Sequence, residues 1–419
     1  MSKRTFARIG WFTASLTLAV AATYVTAGPA TVGWTQWGGT KQDFIAPASK
    51  LAEKWPEAGP KKLWERDLGE GYSAILAEGD RLYTMYRKDD KERVVCLSAK
   101  DGKNIWEHAY DSKPREGHVM EFGDGPRSTP LIVGDRMYTI GIAGKMHCLG
   151  KEDGHVYWTH DLWEEFDGNV LNHGYSSSPV AYKDTVVALS GGKDQSIIAF
   201  KQEDGAVVWK KQSFQNSYST PKLIQVGGKD QFAIFMANEI IGIDPGTGEL
   251  EWSYEIGNQW KQNICMPTQV APNMIFFSTS DGGSRGLQLT KKGDKTETKE
   301  LWSTKKVQIY HVNSVRDGDF VYGSTGSGAP NFIAAINAKT GEIAWRKRGF
   351  AKATCVGADG KLIILDEDGQ LAIATATPKD LVVHSQTKLL DKVAWTVPTV
   401  VGKSLYVRDK KKIVAVDLG

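Results

Sequence analysis

The residues of this sequence that could do chemistry lie between short strand-like runs. They are guanidinium, imidazole, amide and aromatic side chains, which bind ligands when loops gather them into one concave patch. Two segments are especially rich in them, one ending at Arg127 and one running WEEFDGNVLNHGY to Tyr175. The predicted binding residues are Arg127, Asn172, His173, Tyr175, Asn216, Tyr218, Trp260, Asn263, His311, Asn313 and Trp395.

Each of these residues also has a structural alternative. Asn and Asp before a strand are common turn formers. Loop histidines such as His173 and His311 more often hold hydrogen-bond partners than metals, and Arg127 could pair with a carboxylate or carbonyl near the axis. The sequence shows no Ser-His-Asp order, phosphate-binding loop or zinc spacing, so we assign no catalytic residue and leave metal ligands undetermined.

The elements that must position these residues form a repeat. Five segments place Asp or Thr before a Gly and a Trp four residues after it: SAKDGKNIW, GKEDGHVYW, KQEDGAVVW, DPGTGELEW and NAKTGEIAW. A looser copy ends at Trp302, and KKLWERDL carries Trp64 without such a turn. The spacing between successive Trp residues is that of propeller blades.

Each repeat contains four short strands with period-two alternation, and the first strand follows a Ser/Thr-x-Pro segment. The sequence therefore predicts an all-β, eight-bladed propeller of four-stranded antiparallel blades over residues 61–419. The eighth blade stops after three strands, so we expect the segment Lys61–Leu68 to supply its fourth and close the ring. Residues 28–60 are an N-terminal segment or linker.

The repeat also explains the conserved spacing of Gly and Trp within each unit. The Gly accepts a positive φ at the turn, and the Trp then packs on the neighbouring blade as a structural contact. Cys96 and Cys148 align with Ala199, Ala335 and Ala415 of other units. We therefore expect buried core thiols at these two positions and no disulfide between them.

The first 27 residues resemble a secretory signal peptide. Lys3, Arg4 and Arg8 precede an apolar run, which ends before the small residues of a cleavage site. The run is too short to span a bilayer, so we predict export to the periplasm or cell envelope without a transmembrane segment. Removing three of 52 basic residues leaves 49 basic against 49 acidic residues, which disfavours nucleic-acid binding.

The repeats resemble the Trp-docking repeats of the pyrroloquinoline-quinone (PQQ)-type β-propeller superfamily. WTQWGGTKQDF and Gly125–Pro130 are similar to the openings of its exported, stand-alone members. One branch, the quinoprotein dehydrogenases, implies PQQ and Ca²⁺ and oxidation of alcohols or sugars, but the chain lacks that branch's adjacent cysteine pair. The other, the BamB-type assembly factors, is similar in size and blade number and implies a non-catalytic protein-binding role, although the chain lacks their lipid-attachment cysteine.

We therefore predict an exported, monomeric binding or scaffold module with a protein partner in the cell envelope. A PQQ- and Ca²⁺-dependent oxidoreductase is the alternative, and a sugar-binding protein that uses the same aromatic loops is a third. No cofactor follows from the residues themselves. Trp260 and Trp395 lie outside the repeat positions, which makes them the candidates for stacking on a ligand.

Overall fold

Short alternating runs form the regular structure of the described part of this chain, because β-branched and aromatic residues favour pleated, half-buried strands. The computed structural model describes residues 1, 33–47, 50–119, 121–169, 171–256, 258–311, 313–326, 331–391 and 393–419. The predicted signal peptide, residues 1–27, lies outside these ranges except for Met1. Within them every helix or strand element is a β-strand, and the strands form eight antiparallel sheets. The predicted eight-bladed propeller is confirmed.

Two strands precede the blades in sequence, β1 (Gly33–Trp34) and β2 (Lys61–Asp67). Blade 1 contains β3 (Leu76–Glu78), β4 (Arg81–Lys88), β5 (Lys91–Ser98) and β6 (Asn104–Asp111). Blade 2 contains β7 (Leu131–Val133), β8 (Arg136–Ile140), β9 (Lys145–Gly150) and β10 (Val156–Asp161). Blade 3 contains β11 (Val180–Tyr182), β12 (Thr185–Gly192), β13 (Gln195–Lys201) and β14 (Val207–Lys211). Blade 4 contains β15 (Lys222–Val226), β16 (Lys229–Phe235), β17 (Glu239–Ile243) and β18 (Leu250–Glu255).

The second half of the ring repeats this arrangement. Blade 5 contains β19 (Thr268–Ala271), β20 (Met274–Thr279), β21 (Gly283–Lys292) and β22 (Lys295–Thr304). Blade 6 contains β23 (Val315–Asp317), β24 (Phe320–Ser324), β25 (Phe332–Asn337) and β26 (Ile343–Arg348). Blade 7 contains β27 (Thr354–Ala358), β28 (Lys361–Leu365), β29 (Gln370–Ala376) and β30 (Leu381–Lys388). Blade 8 contains β31 (Thr399–Val401), β32 (Ser404–Arg408) and β33 (Lys412–Asp417), with β2 as its outer strand.

The ring closes between the two ends of the propeller. Strand β2 pairs antiparallel with β33, and Trp64 lies opposite Ala415. The outer strand of blade 8 therefore comes from the N-terminal side, as the missing fourth strand predicted. This pairing joins the first and last parts of the ring through backbone hydrogen bonds, which leaves no open end between blades 8 and 1.

The repeated Trp residues contact the turn glycines of the following blade. A Cβ added to the glycine would lie within 2.8 Å of the indole, and the pairs are Gly102 with Trp64, Gly154 with Trp106, Gly205 with Trp158, Gly248 with Trp209, and Gly341 with Trp302. The indole N–H of Trp64 donates to Ala99 O at 2.9 Å, and that of Trp106 donates to Lys151 O at 2.9 Å. Only glycine fits these turns, because each combines a positive φ with close approach of the ring.

Trp252 bonds within its own blade. Its indole N–H donates to Gln231 Oε1 at 2.7 Å, and a Cβ on Gly242 would lie 1.9 Å from the same nitrogen. Blade 5 has the looser repeat and forms a longer hairpin, with ten residues in each of β21 and β22. The Trp therefore takes a partner from β16 where the next blade lacks the Asp-Gly turn.

All four cysteines are free and buried. Cys96 lies opposite Trp106 in the strand register, and Cys148 lies opposite Trp158. Other blades place an alanine at that position, since Ala199 lies opposite Trp209. Burial raises the pKa of the Cys96 thiol to about 11, so it behaves as a small core residue. Cys96 and Cys148 are thus buried core residues of two different blades, as their alignment with alanines predicted.

Residues 33–47 cross the central channel at the end away from the loops that enter the innermost strands. Strand β1 pairs with β3 of blade 1, and Thr35 O accepts from Ile132 N of blade 2. Gln42 Nε2 donates to Pro221 O of blade 4, and Ile45 pairs with Gly357 of blade 7. These contacts reach blades on opposite sides of the ring, so this plug segment closes one mouth of the channel.

Candidate functional site

One equivalent position in every blade faces the propeller axis. It lies four residues before the first residue of the innermost strand, for example Arg127 before Leu131 and Tyr218 before Lys222. In blade 7 the strand begins two residues earlier, at Thr354, and the residue equivalent to Leu131 is Val356, which pairs with Ile363. We call these eight residues the axial ring: Tyr72, Arg127, Ser176, Tyr218, Ile264, His311, Lys352 and Trp395.

All eight residues of the axial ring line one cavity of about 490 Å³, the axial cup. Trp37 of the plug segment also lines it, so the cup has a floor and opens at the loop mouth. Phe122, His173 and Trp260 come from the loops around that mouth. The cavity has the volume of an ordinary small-ligand pocket and the position that the sequence predicted for a binding patch.

In one sector of the axial ring two cations flank a pair of stacked aromatic rings. The Tyr72 and Trp395 rings stack with centroids 5.5 Å apart. The Arg127 guanidinium lies over Tyr72 at 5.3 Å, and Lys352 Nζ lies over Trp395 at 5.2 Å. These residues come from four successive blades, 7, 8, 1 and 2, and cation–π attraction holds them in one continuous wall.

Two histidines complete the aromatic surface. His311 stacks on Trp395 with centroids 5.7 Å apart, and His173 lies 5.6 Å from Phe122 and 6.1 Å from Tyr218. Burial lowers the pKa of His311 to about 4. Burial and the Arg127 charge also lower the pKa of His173. Both imidazoles are therefore neutral near pH 7 and contribute ring surface rather than charge.

The two cations of the wall differ in their partners. Lys352 Nζ lies 3.2 Å from Glu367 Oε2, whose other contacts include the indole N–H of Trp395. Arg127 donates from Nη2 to Gly123 O at 2.9 Å, and its Nε–H is buried without a partner. Among the described residues Arg127 forms no ion pair, since nearby Asp124 pairs with Arg87 at 2.9 Å. Burial lowers the pKa of Arg127.

The structure brings six of the eleven sequence-predicted residues into the cup: Arg127, His173, Tyr218, Trp260, His311 and Trp395. Trp260 is 62% exposed at the rim. Tyr175 lies below the loops and donates from its hydroxyl to Ser190 O at 2.9 Å. Asn172 is exposed beside the cup, and its carbonyl accepts from Val119 N.

The other three predicted asparagines hold loops in place. Asn216 Nδ2 donates to Leu189 O, and Asn263 Nδ2 donates to Met236 O at 2.7 Å. Asn313 bridges blades 6 and 7, because its Nδ2 donates to Cys355 O and its Oδ1 accepts from Cys355 N. The structural alternative thus describes the side chains of these three residues, which bond backbone groups away from the cup.

Four ring residues were missed by the sequence analysis: Tyr72, Ser176, Ile264 and Lys352. Tyr72 and Lys352 form half of the cation–aromatic wall. The signal that identifies them is the repeat register: Tyr72 stands four residues before Leu76, and Lys352 stands four residues before Val356, the equivalent residue of β27. Phe122 and Trp37 carry no such signal, since they lie outside the strand repeats.

The donor groups of the cup do not fit a calcium ion. Glu121 and Asp281 are the carboxylates among its lining residues, and Asp281 already accepts from Gln259 N and Ser280 Oγ. Ca²⁺ takes six to eight oxygen ligands. The described residues contain no group of three or more His, Cys, Asp or Glu arranged to hold a metal. The aromatic wall offers flat surface for a planar ring such as PQQ, but the described lining residues do not supply the oxygen ligands for a calcium ion beside it.

Comparison with known proteins identifies the family to which this propeller belongs. The family model for outer membrane protein assembly factor BamB matches residues 90–347, well over half of the chain. The chain belongs to this family. It is 22% identical over 339 residues to an outer membrane protein assembly factor BamB from Burkholderia pseudomallei strain K96243, covering 77% of this chain and 82% of that protein.

The BamB-like chain is also similar to quinone-dependent dehydrogenases. It is 23% identical over 345 residues to the dehydrogenase subunit of a quinone alcohol dehydrogenase from Gluconobacter oxydans strain 621H, covering 73% of this chain but 42% of that one. A europium-containing methanol dehydrogenase superposes with a TM-score of 0.62 at 12% identity, covering 92% of this chain and 89% of the other. That likeness shows the shared propeller fold. Across the described ranges no helix has the length and apolar character needed to cross a membrane.

Proposed function

We propose that this chain is a non-catalytic binding module of the cell envelope that holds a protein partner. The partner binds at the loop face, the side of the propeller formed by the loops that enter the innermost strands. The observation that carries the proposal is the axial cup. It is closed below by Trp37, rimmed by an exposed Trp260 and walled by cations and aromatic rings. The described residues hold no group of three or more His, Cys, Asp or Glu that could bind a metal. Trp and Arg dominate protein-binding hot spots when they stand in such desolvated pockets.

Membership of the BamB family supports the same proposal, since the matching relative is an outer membrane protein assembly factor. In this proposal residues 1–27 direct export, residues 28–60 carry the plug segment, and residues 61–419 present the loops to the partner in the periplasm. The chain acts as a monomer. The predicted residues that reach the cup, from Arg127 to Trp395, are the binding residues.

Affinity capture from solubilised cell envelopes tests this function. Wild-type protein is compared with Trp260→Ala at the cup rim and with the control Tyr157→Ala, whose side chain is exposed on outer strand β10. We expect one envelope protein to be enriched by wild type and by the Tyr157 variant, and to be depleted with the Trp260 variant. Equal recovery of the same proteins by all three would contradict a loop-face scaffold.

The second candidate is a PQQ-dependent oxidoreductase of alcohols or sugars. It is favoured by one observation, the stacked rings of Tyr72 and Trp395 beside Arg127, which would suit a planar anionic quinone. PQQ titration with and without Ca²⁺, followed by tryptophan fluorescence and dye reduction, tests it. Calcium-dependent binding with dye reduction would establish the enzyme and defeat the scaffold. We expect neither calcium dependence nor dye reduction.

A further inference from the structure

Two arginines, the buried Arg408 and the half-buried Arg127, lack a carboxylate partner among the described residues, and they differ in their hydrogen bonds. Arg408 is fully buried at the closure of blades 8 and 1, and its guanidinium donates to four acceptors besides its neighbour's carbonyl: Gly69 O, Met85 O, Ser73 O and Thr84 Oγ1. Arg127 donates to one acceptor, Gly123 O. Arg408 is thus satisfied as a structural cation, whereas Arg127 is not.

A cation that lacks hydrogen-bond acceptors and an ion-pair partner in a binding cavity indicates that the ligand carries a negative charge. Buried charges in proteins are normally paired, because the cost of removing them from water is recovered only through partners. Within the described residues Arg127 has no ion pair: the carboxylates of Glu121 and Asp281 line the cup without pairing to it, and nearby Asp124 pairs with Arg87. A carboxylate entering the cup would supply the missing charge through charge-assisted hydrogen bonds.

The surroundings of Arg127 indicate which kind of side chain flanks that carboxylate in the ligand. Tyr72 lies under the guanidinium, Trp395 and Phe122 continue the wall with centroids 5.2 Å apart, and Trp260 stands exposed at the rim. Aromatic surface of this kind gains most from burying an apolar or aromatic side chain. A cavity of about 490 Å³ accommodates a few side chains rather than a folded element.

The direction of entry favours a loop of another protein. Trp37 and the rest of the plug segment close the far mouth, so an occupant reaches Arg127 only from the loop face. A partner loop that approaches this face would meet Trp260 first and Arg127 deeper in the cup.

We infer that the axial cup receives an acidic side chain flanked by an aromatic residue from a loop of the partner protein, with its carboxylate paired to Arg127. This inference rests on the proposed protein-binding function and adds the chemistry that the partner must present.

Isothermal titration with a capped peptide, acetyl-Gly-Phe-Glu-Phe-Gly-amide, tests the inference on the purified full chain. The comparison peptide replaces Glu with Gln. We expect wild type to prefer the Glu peptide by at least about tenfold, which corresponds to about 1.4 kcal/mol, because only the ionised carboxylate forms a charge-assisted hydrogen bond with the guanidinium. Arg127→Gln should lose the preference, and Arg127→Lys should retain part of it.

Arg316→Gln is the matched control, since Arg316 lies at the opposite end of the blades, where it donates to Gly318 O and Gln269 O. It should leave the preference for the Glu peptide unchanged. Circular dichroism and melting temperature confirm that each variant is folded. Equal binding of the Glu and Gln peptides, loss of the preference in Arg316→Gln, or no binding at millimolar peptide would overturn the inference.

Two further titrations identify the source of the carboxylate. Free glutarate binding as tightly as the Glu peptide would reduce the site to an anion site and overturn the inference, as would PQQ binding that Arg127→Gln abolishes. The envelope capture separates this inference from the proposed function. A partner recovered equally by wild type and Arg127→Gln would refute the inference alone, whereas recovery of no specific partner would refute the proposed function.

Discussion

Removing the Trp64 side chain should weaken the contact between blades 8 and 1 and lower the free energy of unfolding. Its indole packs on Gly102 of blade 1 and donates to Ala99 O at 2.9 Å, while its backbone belongs to blade 8. A buried indole covers roughly 150–250 Å², which at about 25 cal/mol per Å² gives an upper bound of about 4–6 kcal/mol. Because Trp64 is only half-buried, we expect Trp64→Ala to lower the free energy of unfolding by about 3 kcal/mol.

Urea denaturation followed by far-ultraviolet circular dichroism measures this change. The control is Leu63→Ala on the same strand, whose side chain is 43% exposed, and it should cost clearly less than the Trp64 variant, about 0.5 kcal/mol. Trp64→Phe should fall between the two, since it keeps a ring but loses the hydrogen bond of about 1 kcal/mol. A Trp64→Ala cost no larger than that of Leu63→Ala would refute the packing argument.

Three other predictions concern stability. Gly154→Ala and Gly134→Ala both place Ala at a positive φ, but only the Gly154 variant puts a Cβ 2.6 Å from the Trp106 ring, so its melting temperature should fall clearly further; equal decreases would contradict the contact. Arg408→Met should cost at least about 2 kcal/mol in urea denaturation, because carbonyls of blades 8 and 1 lose their donor, and an unchanged midpoint would show that they find other partners. Burial lowers the pKa of His147 to about 3 from an ordinary value of 6.5, so between these pH values the unfolded chain binds a proton that the folded chain does not. The free energy of unfolding should therefore decrease as the pH falls from about 6.5 toward 3, and His147→Gln should flatten that slope in pH-dependent melting experiments; an unchanged slope would exclude His147 as its source.

The fold could be predicted because the repeat encodes the blade several times. Each unit carries the same turn glycine and Trp, so one unit's strand assignment supports the next, and the count exposed the missing outer strand that β2 supplies. The plug segment could not be predicted in this way. Residues 33–47 have no repeat context, and their position depends on contacts with blades far apart in sequence, such as Ile45 with Gly357.

The site was predictable as a region but only partly as residues. Loops that enter innermost strands must surround one mouth, which brought Arg127, Tyr218 and Trp395 into the prediction. A loop has no two-residue or helical period, so residue type alone cannot show whether a polar side chain faces the axis. The sequence therefore could not show that the side chains of Asn263 and Asn313 bond backbone carbonyls instead of facing the axis. The position four residues before the equivalent innermost-strand residue, applied to every blade, would have added Tyr72 and Lys352.

Site-directed photo-crosslinking tests most directly whether the loop face holds a protein partner. A benzoylphenylalanine at position 260 would place the reactive group on the cup rim, and the same residue at position 157 would place it on the outer strand of blade 2, where Tyr157 is also exposed. We predict an adduct with one envelope protein from position 260, absent from position 157. No adduct from position 260, or the same adduct from both positions, would contradict the account of this chain as a loop-face binding module.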